Sequence, residues 1–205
     1  MVYLPPHFTE TRPEILLAHI DRYDFGTLVT GGSAGLIASQ IPFLAERRSE
    51  KIVLHGHLAR PNPQVAALGD GEALAIFAGP HAYISPGWYK AGPAVPTWNY
   101  ATVHAAGAAR AIDDRDWLRD LLRRLSRRHE AREAKPWRMD ELPEAYINSM
   151  LNGIVGVEIA VARLEGKFKL SQNRPEGDRP RIVAALEARG DPESSAVAEL
   201  MRQRG

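Results

Sequence analysis

Apolar and polar positions alternate in several short segments of the first half of the chain, a pattern typical of strands that bury one face. Glycine, proline or charged residues separate these segments and favour turns between them. The alternation predicts strands at 25–30, 36–44, 51–59 and 72–78. The charged segment 45–51 would be the turn of a hairpin. A long strand is predicted later, at 155–169.

Apolar residues at helical spacing predict helices elsewhere. The clearest lies at 113–134, where Trp117, Leu118, Leu121, Leu122 and Leu125 form one apolar stripe. Thr11 and Glu14 have the spacing of a capping box, which predicts a first helix that ends near residue 24. Further helices are predicted at 141–152, 179–189 and 192–202.

Most of the predicted strands follow one another directly, with only short helices between them. This order favours an antiparallel barrel or sandwich, mainly β with added helices (α+β), over a doubly wound sheet. The 205 residues suit one domain with appendages. We expect a main domain at 1–175, which includes the helices at 113–134 and 141–152, and a C-terminal helical pair at 176–205.

Composition excludes several classes of function. The chain has no cysteine, which excludes disulfides, thiolate catalysis and cysteine zinc sites. The net charge of +1 gives no argument for a nucleic acid or an acidic membrane surface as partner. The sequence has neither a signal-peptide pattern nor the roughly 20 apolar residues that span a bilayer. We therefore expect no membrane contact, and the lack of cysteine fits a reducing cytosol without proving one.

The segment 79–100 is dense in aromatic, proline and glycine residues and predicts two strands joined by a stiff loop. Because side chains alternate along a strand, Tyr83 and Ser85 share one face of the first strand. Thr97 and Asn99 likewise share one face of the second. A rigid shelf with aromatic and polar faces suits a flat heteroaromatic ligand. A sheet edge with a structured loop would explain the same pattern.

Arg60 lies at the predicted end of a strand, just before Asn62 and Pro63, which are typical of the start of a short helix. A guanidinium beside the N–H groups of a helix start suits a phosphate. Ser39 and Gln40, on the neighbouring predicted strand, could add donors. The alternative is an ordinary strand end with a surface arginine.

A second polar cluster follows the long predicted strand. It contains Lys169, Ser171, Gln172, Asn173 and Arg174 in close order. These side chains could contact a ligand, or Asn173 could cap a helix that follows.

Three other kinds of site have weaker support. The histidines lack the spacing of a helical zinc pair and no carboxylates share their strands, so we expect no metal; they are His55, His57, His81 and His104. The arginine-rich face of 113–134 could contact DNA, but the acids among its arginines favour ion pairs. The helices 179–189 and 192–202 have the lengths of a helix-turn-helix, yet the second offers little to read bases before Arg202 and Gln203. The sequence also has no P-loop, no G-x-G-x-x-G motif and no candidate nucleophile with a base.

Four motifs, in their order and spacing, resemble the PaiB-type FMN-binding negative transcriptional regulators: GHLARPNPQ, GPHAYISPGWY, VPTWNYATVHAAG and GKFKLSQNRP. The resemblance runs nearly end to end, and Gly87 departs from it where a serine is more usual. It implies an antiparallel split β-barrel of the kind used by pyridoxamine-phosphate oxidases and flavin reductases. It also implies a homodimer with FMN at the subunit interface, a bacterial cytoplasmic setting, and repression of genes for sporulation and degradative enzymes.

Motif position and strand alternation assign candidate ligands to FMN, with Tyr83, Ser85, Thr97 and Asn99 along its ribityl chain and ring edge. Arg60, with His57 and Asn62 near it, would bind the phosphate, and Lys169, Gln172 and Arg174 would complete the site, from the same or the other subunit. The full expected set is Ser39, Gln40, His57, Ala59, Arg60, Asn62, Tyr83, Ser85, Thr97, Asn99, Lys169, Gln172 and Arg174. No residue is assigned a catalytic role. Three functions stay open: a flavin-binding regulator with DNA as a possible partner, an FMN-dependent reductase or oxidase, and a degenerate barrel that serves as an interaction module.

Overall fold

The computed structural model describes residues 2–32, 35–90 and 93–204. Its strands are β1 (Thr9–Glu10), β2 (Phe25–Gly32), β3 (Gly35–Pro42), β4 (Leu44–Arg48), β5 (Lys51–Ala59), β6 (Glu72–Ile84), β7 (Thr97–Ile112) and β8 (Ile154–Lys169). Its α-helices are α1 (Pro13–Arg22), α2 (Arg115–Glu130), α3 (Glu144–Leu151), α4 (Asp178–Arg189) and α5 (Pro192–Gln203). Short 3₁₀ turns lie at Pro6–Phe8, Pro63–Ala67, Pro86–Trp88 and Met139–Glu141.

The strands join one sheet in the order β3-β2-β6-β7-β8-β5-β4, and β1 pairs with β8. The pairs β1–β8, β2–β3, β2–β6, β4–β5 and β5–β8 are antiparallel. Apolar alternation explains these strands, as in β6, where Ala73, Ala75 and Phe77 are buried and the residues between them are not. The prediction of an antiparallel, mainly β fold with added helices is confirmed.

The predicted hairpin turn at 45–51 is wrong for most of its length. Leu44–Arg48 form β4, which pairs with β5, and Ser49 takes a positive φ of 57° in the tight turn between them. Glu46 explains the difference, because its carboxylate is partly buried and pairs with Arg48 and Arg124. A run of charged residues therefore lies in the sheet rather than in a solvated turn.

Other boundaries differ by a few residues. The strands expected at 72–78 and around residue 83 are one continuous strand, β6. Helix α1 begins at Pro13, and the Arg12 N–H bonds to Glu10 Oε1 (2.9 Å) in place of the expected capping box. Helix α2 is capped by Asp114, which accepts from the Trp117 N–H (2.8 Å), and it ends before the expected residue 134.

The chain divides into two compact units. The first unit comprises residues 1–19, 77–104 and 165–205, and the second comprises 20–76 and 105–164. Strands β6, β7 and β8 contribute residues to both units. The sequence-based division at residue 175 stays a prediction.

The two C-terminal helices lie where the sequence predicts them, and they belong to the first unit. Gly190 ends α4 in the left-handed conformation (φ 71°), which glycine adopts without strain. Asp191 then caps α5 by accepting from the Ser194 N–H (2.8 Å). Asp178, at the start of α4, accepts from the Lys90 N–H (2.7 Å) and so fixes the segment that follows β6.

Candidate functional site

The sequence-predicted site residues fall into two groups, one in each compact unit. The second unit holds Ser39, Gln40, His57, Ala59, Arg60 and Asn62. The first unit holds Tyr83, Ser85, Thr97, Asn99, Lys169, Gln172 and Arg174. Each group can be examined within its own unit.

In the second unit, five of these residues line one open groove of about 570 Å³: Ser39, Gln40, His57, Ala59 and Asn62. The Asn62 amide donates to Ser39 Oγ (3.0 Å). His57 is largely buried, and burial lowers its pKa, so the imidazole is neutral at physiological pH. Its Nδ1 is buried without a hydrogen-bond partner among the described residues. The groove therefore offers hydroxyl, amide and neutral imidazole groups.

The 3₁₀ turn beside this groove is held by two side chains. Asn62 caps it as predicted, accepting from the Gln64 N–H (2.9 Å). Gln64 is buried and donates to the carbonyls of Leu28 (3.1 Å) and Ile37 (3.2 Å), which belong to β2 and β3. These bonds fix one wall of the groove.

Arg60 does not present an unoccupied guanidinium, as the phosphate hypothesis would require. Its Nη2 and Nη1 bond to the Asp113 carboxylate (2.6 and 3.1 Å), its Nε bonds to the Asn152 carbonyl (2.7 Å), and Nη2 also bonds to the Ile154 carbonyl (2.9 Å). These bonds occupy four of the five N–H donors of an arginine. Arg60 therefore ties the end of β5 to the end of β7 and the start of β8.

In the first unit, Lys169 is the centre of a cationic group. Its Nζ bonds to the Thr97 hydroxyl. Burial, together with the neighbouring charges of Lys167 and Arg174, holds the pKa of Lys169 below its usual range. No carboxylate in the described part of the chain pairs with Lys169 or Arg174. We call Lys167, Lys169 and Arg174 the cationic cluster.

Asn99 and Gln172 shape the turn that follows β8 rather than presenting their amides to solvent. Asn99 is fully buried and exchanges hydrogen bonds with the Ser171 hydroxyl (3.0 and 3.1 Å). Gln172 accepts from the Leu170 N–H (2.7 Å) and donates to the Phe168 carbonyl (2.5 Å). Ser171 itself takes a positive φ of 63°. These bonds position the residues on either side of the turn, Lys169 and Arg174.

In the segment 79–100, side chains alternate between buried and exposed positions on both strands, as predicted. On the second strand, the polar residue Asn99 lies on the buried face. On β6, Tyr83 is exposed while Ile84 is buried, as predicted. On β7, Asn99 faces inward and Trp98 is half exposed, with its ring centroid 6.0 Å from that of Tyr83. Ser85 caps the turn after β6 by accepting from the Gly87 N–H (3.3 Å). Alternation placed Asn99 and Trp98 on opposite faces but could not say which face is buried.

Sequence reasoning missed two members of this region. Lys167 is buried, and its Nζ lies 5.6 Å from the ring centroid of Tyr100. Tyr89 is also buried, with the Arg174 guanidinium 4.3 Å from its ring centroid and its hydroxyl unpartnered among the described residues. Alternation in the Lys-Phe-Lys sequence at 167–169 places both lysines on one face, so this signal was available.

Most arginines of α2 are held in ion pairs. Arg119 pairs with Glu144, Arg123 with Asp140 (2.7 Å), and Arg128 with Asp21 and Asp24 (3.1 and 2.8 Å). On α5, Val197, Ala198 and Met201 are buried, whereas Glu193 and Ser195 near its N-terminus are exposed. This charge pattern matches the ion-pair interpretation of α2.

Neither a metal site nor a membrane span is found within residues 2–32, 35–90 and 93–204. Those residues contain no group of three or more histidine, aspartate or glutamate side chains arranged to hold a metal ion. None of their helices is long and apolar enough to cross a bilayer.

Comparisons with known proteins identify the family. Residues 2–163 match the sequence model of a family described as "Putative FMN-binding domain". The protease synthase and sporulation protein PAI 2 of Bacillus subtilis is 34% identical over 204 residues, which cover 99% of this chain and 98% of that protein. The resemblance inferred from the four sequence motifs is thereby confirmed.

Solved structures share the fold at low sequence identity. The flavocytochrome Anf3 from Azotobacter vinelandii matches with a TM-score of 0.64 and 13% identity, covering 87% of this chain and 78% of that one. The FAD and heme binding protein from Mycobacterium smegmatis matches with a TM-score of 0.55 and 18% identity, covering 86% and 79%. The fold is the expected antiparallel split β-barrel with added helices. The chain belongs to the family described as "Putative FMN-binding domain".

Proposed function

We propose that this protein binds FMN and that the cationic cluster of the first unit receives the phosphate. The observation that carries the proposal is the position of Lys169: its Nζ bonds to the Thr97 hydroxyl, and no carboxylate in the described residues pairs with it. Burial and the nearby charges of Lys167 and Arg174 lower its pKa. A phosphate would relieve this repulsion and accept hydrogen bonds from the ammonium group and the Thr97 hydroxyl. Lys169 thereby replaces Arg60 as the principal phosphate ligand.

The chemistry of the donor sets fits FMN. The cofactor needs cationic donors for its phosphate and neutral polar groups along its ribityl chain and ring edge. Within the first unit, Lys169 and Arg174 supply the first kind, and the Thr97 hydroxyl supplies a group of the second kind. Bound FMN would provide redox chemistry by accepting and donating electrons.

Titration with FMN and with riboflavin, followed by flavin fluorescence, tests the proposal because riboflavin lacks the phosphate. We expect FMN to bind more tightly than riboflavin. Lys169→Ala should weaken FMN by about tenfold or more, the effect of one charge-assisted hydrogen bond, and leave riboflavin unchanged. Lys51→Ala, which removes an exposed lysine from β5, is the control and should change neither affinity. Equal affinities for the two flavins in the unaltered protein would refute the phosphate site.

A homodimer is part of the proposal. Its support is the exposed aromatic pair Tyr83 and Trp98, since exposed apolar patches often mark interaction surfaces. Light scattering should give twice the chain mass of 22.6 kDa. Trp98→Glu should shift the protein toward the monomer. A monomer in the unaltered protein would contradict this part of the proposal.

We also propose that the flavoprotein acts as a negative regulator of transcription. The support is the motif resemblance and the 34% identical relative named as a sporulation protein. A salt-sensitive but sequence-selective gel shift would support direct action on DNA. Bleaching of the bound flavin by NAD(P)H, without any DNA shift, would favour the reductase alternative.

A further inference from the structure

Two neighbouring cavities in the second unit contain none of the residues proposed to bind the flavin. One is a cleft of about 370 Å³ beside the last turns of α2, and the other is a groove of about 440 Å³ along α3. Trp137 and Met139 line both of them. The two cavities therefore share the side chains of Trp137 and Met139.

The groove along α3 is lined by apolar side chains. Three of them are large and strongly exposed: Trp137 (46%), Tyr146 (53%) and Met150 (52%). Folding normally buries side chains of this size, and contiguous apolar exposure marks binding surfaces. This groove can accept an apolar body.

The cleft beside α2 has a net positive lining, because three arginines (Arg123, Arg127 and Arg138) face two acids (Glu130 and Asp140). Arg123 is occupied by Asp140, with Nε–Oδ1 and Nη2–Oδ1 distances of 2.9 and 2.7 Å. Glu130 Oε2 accepts from the Trp137 N–H (2.8 Å). Arg127 and Arg138 remain, both exposed and without an ion pair in the described part of the chain. Two arginine forks thus line the cleft without an ion-pair partner in the described residues.

We propose that this surface binds a small amphiphilic anion, with an apolar body in the groove and an anionic head between Arg127 and Arg138. The two cavity volumes lie in the range of small-molecule sites. Arginine forks favour a carboxylate or phosphate head, and the same positive charge disfavours a cationic head. The Trp137 ring, which lines both cavities, would contact the junction between body and head.

Calorimetric titration with decanoate, below its micelle concentration, tests the proposal directly. We expect saturable binding of one decanoate per chain and no binding of nonyltrimethylammonium, which has the same nine-carbon alkyl chain and a cationic head. Arg127→Ala and Arg138→Ala should each weaken decanoate by about tenfold. Arg132→Ala is the matched control, because it removes an equal charge from a nearby exposed position that lines neither cavity, and it should leave affinity unchanged.

Chain length tests the apolar half of the site. Each methylene removed between decanoate and octanoate should weaken binding roughly fourfold, and Met150→Ser should reduce this dependence. The proposal would be overturned if anionic and cationic head groups bound equally, or if Arg127→Ala and Arg132→Ala had equal effects. It would also be overturned if the protein bound only to phosphatidylglycerol vesicles. FMN affinity should be the same in all these variants, so the flavin proposal stands or fails separately.

Discussion

Arg60 and Asp113 form a two-pronged ion pair, with Nη2–Oδ1 and Nη1–Oδ2 distances of 2.6 and 3.1 Å. The same guanidinium also bonds to the carbonyls of Asn152 and Ile154. A residue with this many bonds inside the chain is a structural clamp. Its role within the GHLARPNPQ motif is therefore to hold strand ends together.

We predict that Arg60→Ala lowers the midpoint of chemical unfolding clearly and changes the dissociation constant for FMN little. The reason is that the substitution leaves two backbone carbonyls and the Asp113 carboxylate without their donor. Arg47→Ala, at an exposed position on β4, is the control and should change the midpoint little. If the variant kept its unfolding midpoint but lost FMN binding, Arg60 would be a ligand of the FMN phosphate after all.

Glu10 should make stability depend on acid pH. Hydrogen bonds from Arg12, the largest cause, and from Arg204 lower the pKa of Glu10 from 4.5 to about 2. A lowered folded-state pKa stabilises the fold above the unfolded value, and this contribution is lost as pH falls from 4.5 toward 2. Glu10→Gln should therefore cost on the order of 2–3 kcal/mol at pH 7.

Urea unfolding of the Glu10→Gln variant and the unaltered protein at several pH values checks this prediction. The difference in unfolding free energy should narrow as the pH falls below 4.5. Glu176→Gln, at an exposed position, should behave like the unaltered protein throughout. A difference that stays constant with pH would contradict the ionic origin of the effect.

Gly107 should tolerate no side chain. A Cβ at this position on β7 would lie 2.0 Å from the Ala160 carbonyl oxygen of β8, and backbone atoms cannot move aside as a flexible side chain can. Gly107→Ala should destabilise the fold by about 2 kcal/mol or more, measured by thermal or urea unfolding. Gly71→Ala is the control, since its Cβ would meet nothing within 4 Å. Equal stability of the two variants would show that β7 and β8 are spaced more widely.

The preference for FMN over riboflavin should decline at alkaline pH. Because the pKa of Lys169 lies below its usual 10.5, the ammonium group loses its proton at a lower pH than an ordinary lysine. The ratio of the two affinities should therefore fall as pH rises through that lowered pKa. Lys169→Arg should keep the ratio constant over the same range, since arginine stays protonated. A constant ratio in the unaltered protein would count against Lys169 as the phosphate ligand.

The fold was largely predictable because its apolar periodicity is strong. The stripe of α2, the alternation of β8 and the caps at Asn62 and Gly190 all correspond to elements of the structure. The hairpin turn was misplaced because Glu46 is partly buried in a long-range ion pair, and sequence reasoning treats a charged run as solvated. Long-range pairing cannot be derived from local pattern.

The candidate site was less predictable for a related reason. Motif position and alternation identify polar residues at strand ends, but they do not show which hydrogen bonds those residues already make. Arg60, Asn99 and Gln172 all bond within the chain, whereas Lys169 keeps unshared donor capacity. Only the tertiary structure shows which side-chain donors already bond to other parts of the chain.

The ion pair between Glu10 and Arg204 joins residues 194 positions apart. During synthesis on the ribosome, this ion pair cannot form until Arg204 has left the exit tunnel, whereas the residues of the second unit end at 164. The second unit can therefore become compact before Glu10 of β1 has bonded to Arg204. Contacts between residues distant in sequence generally form late in folding. A nascent chain that stalls before α5 would leave Glu10 with Arg12 but without Arg204, and would expose the apolar surface that Val197 and Met201 pack against to chaperones.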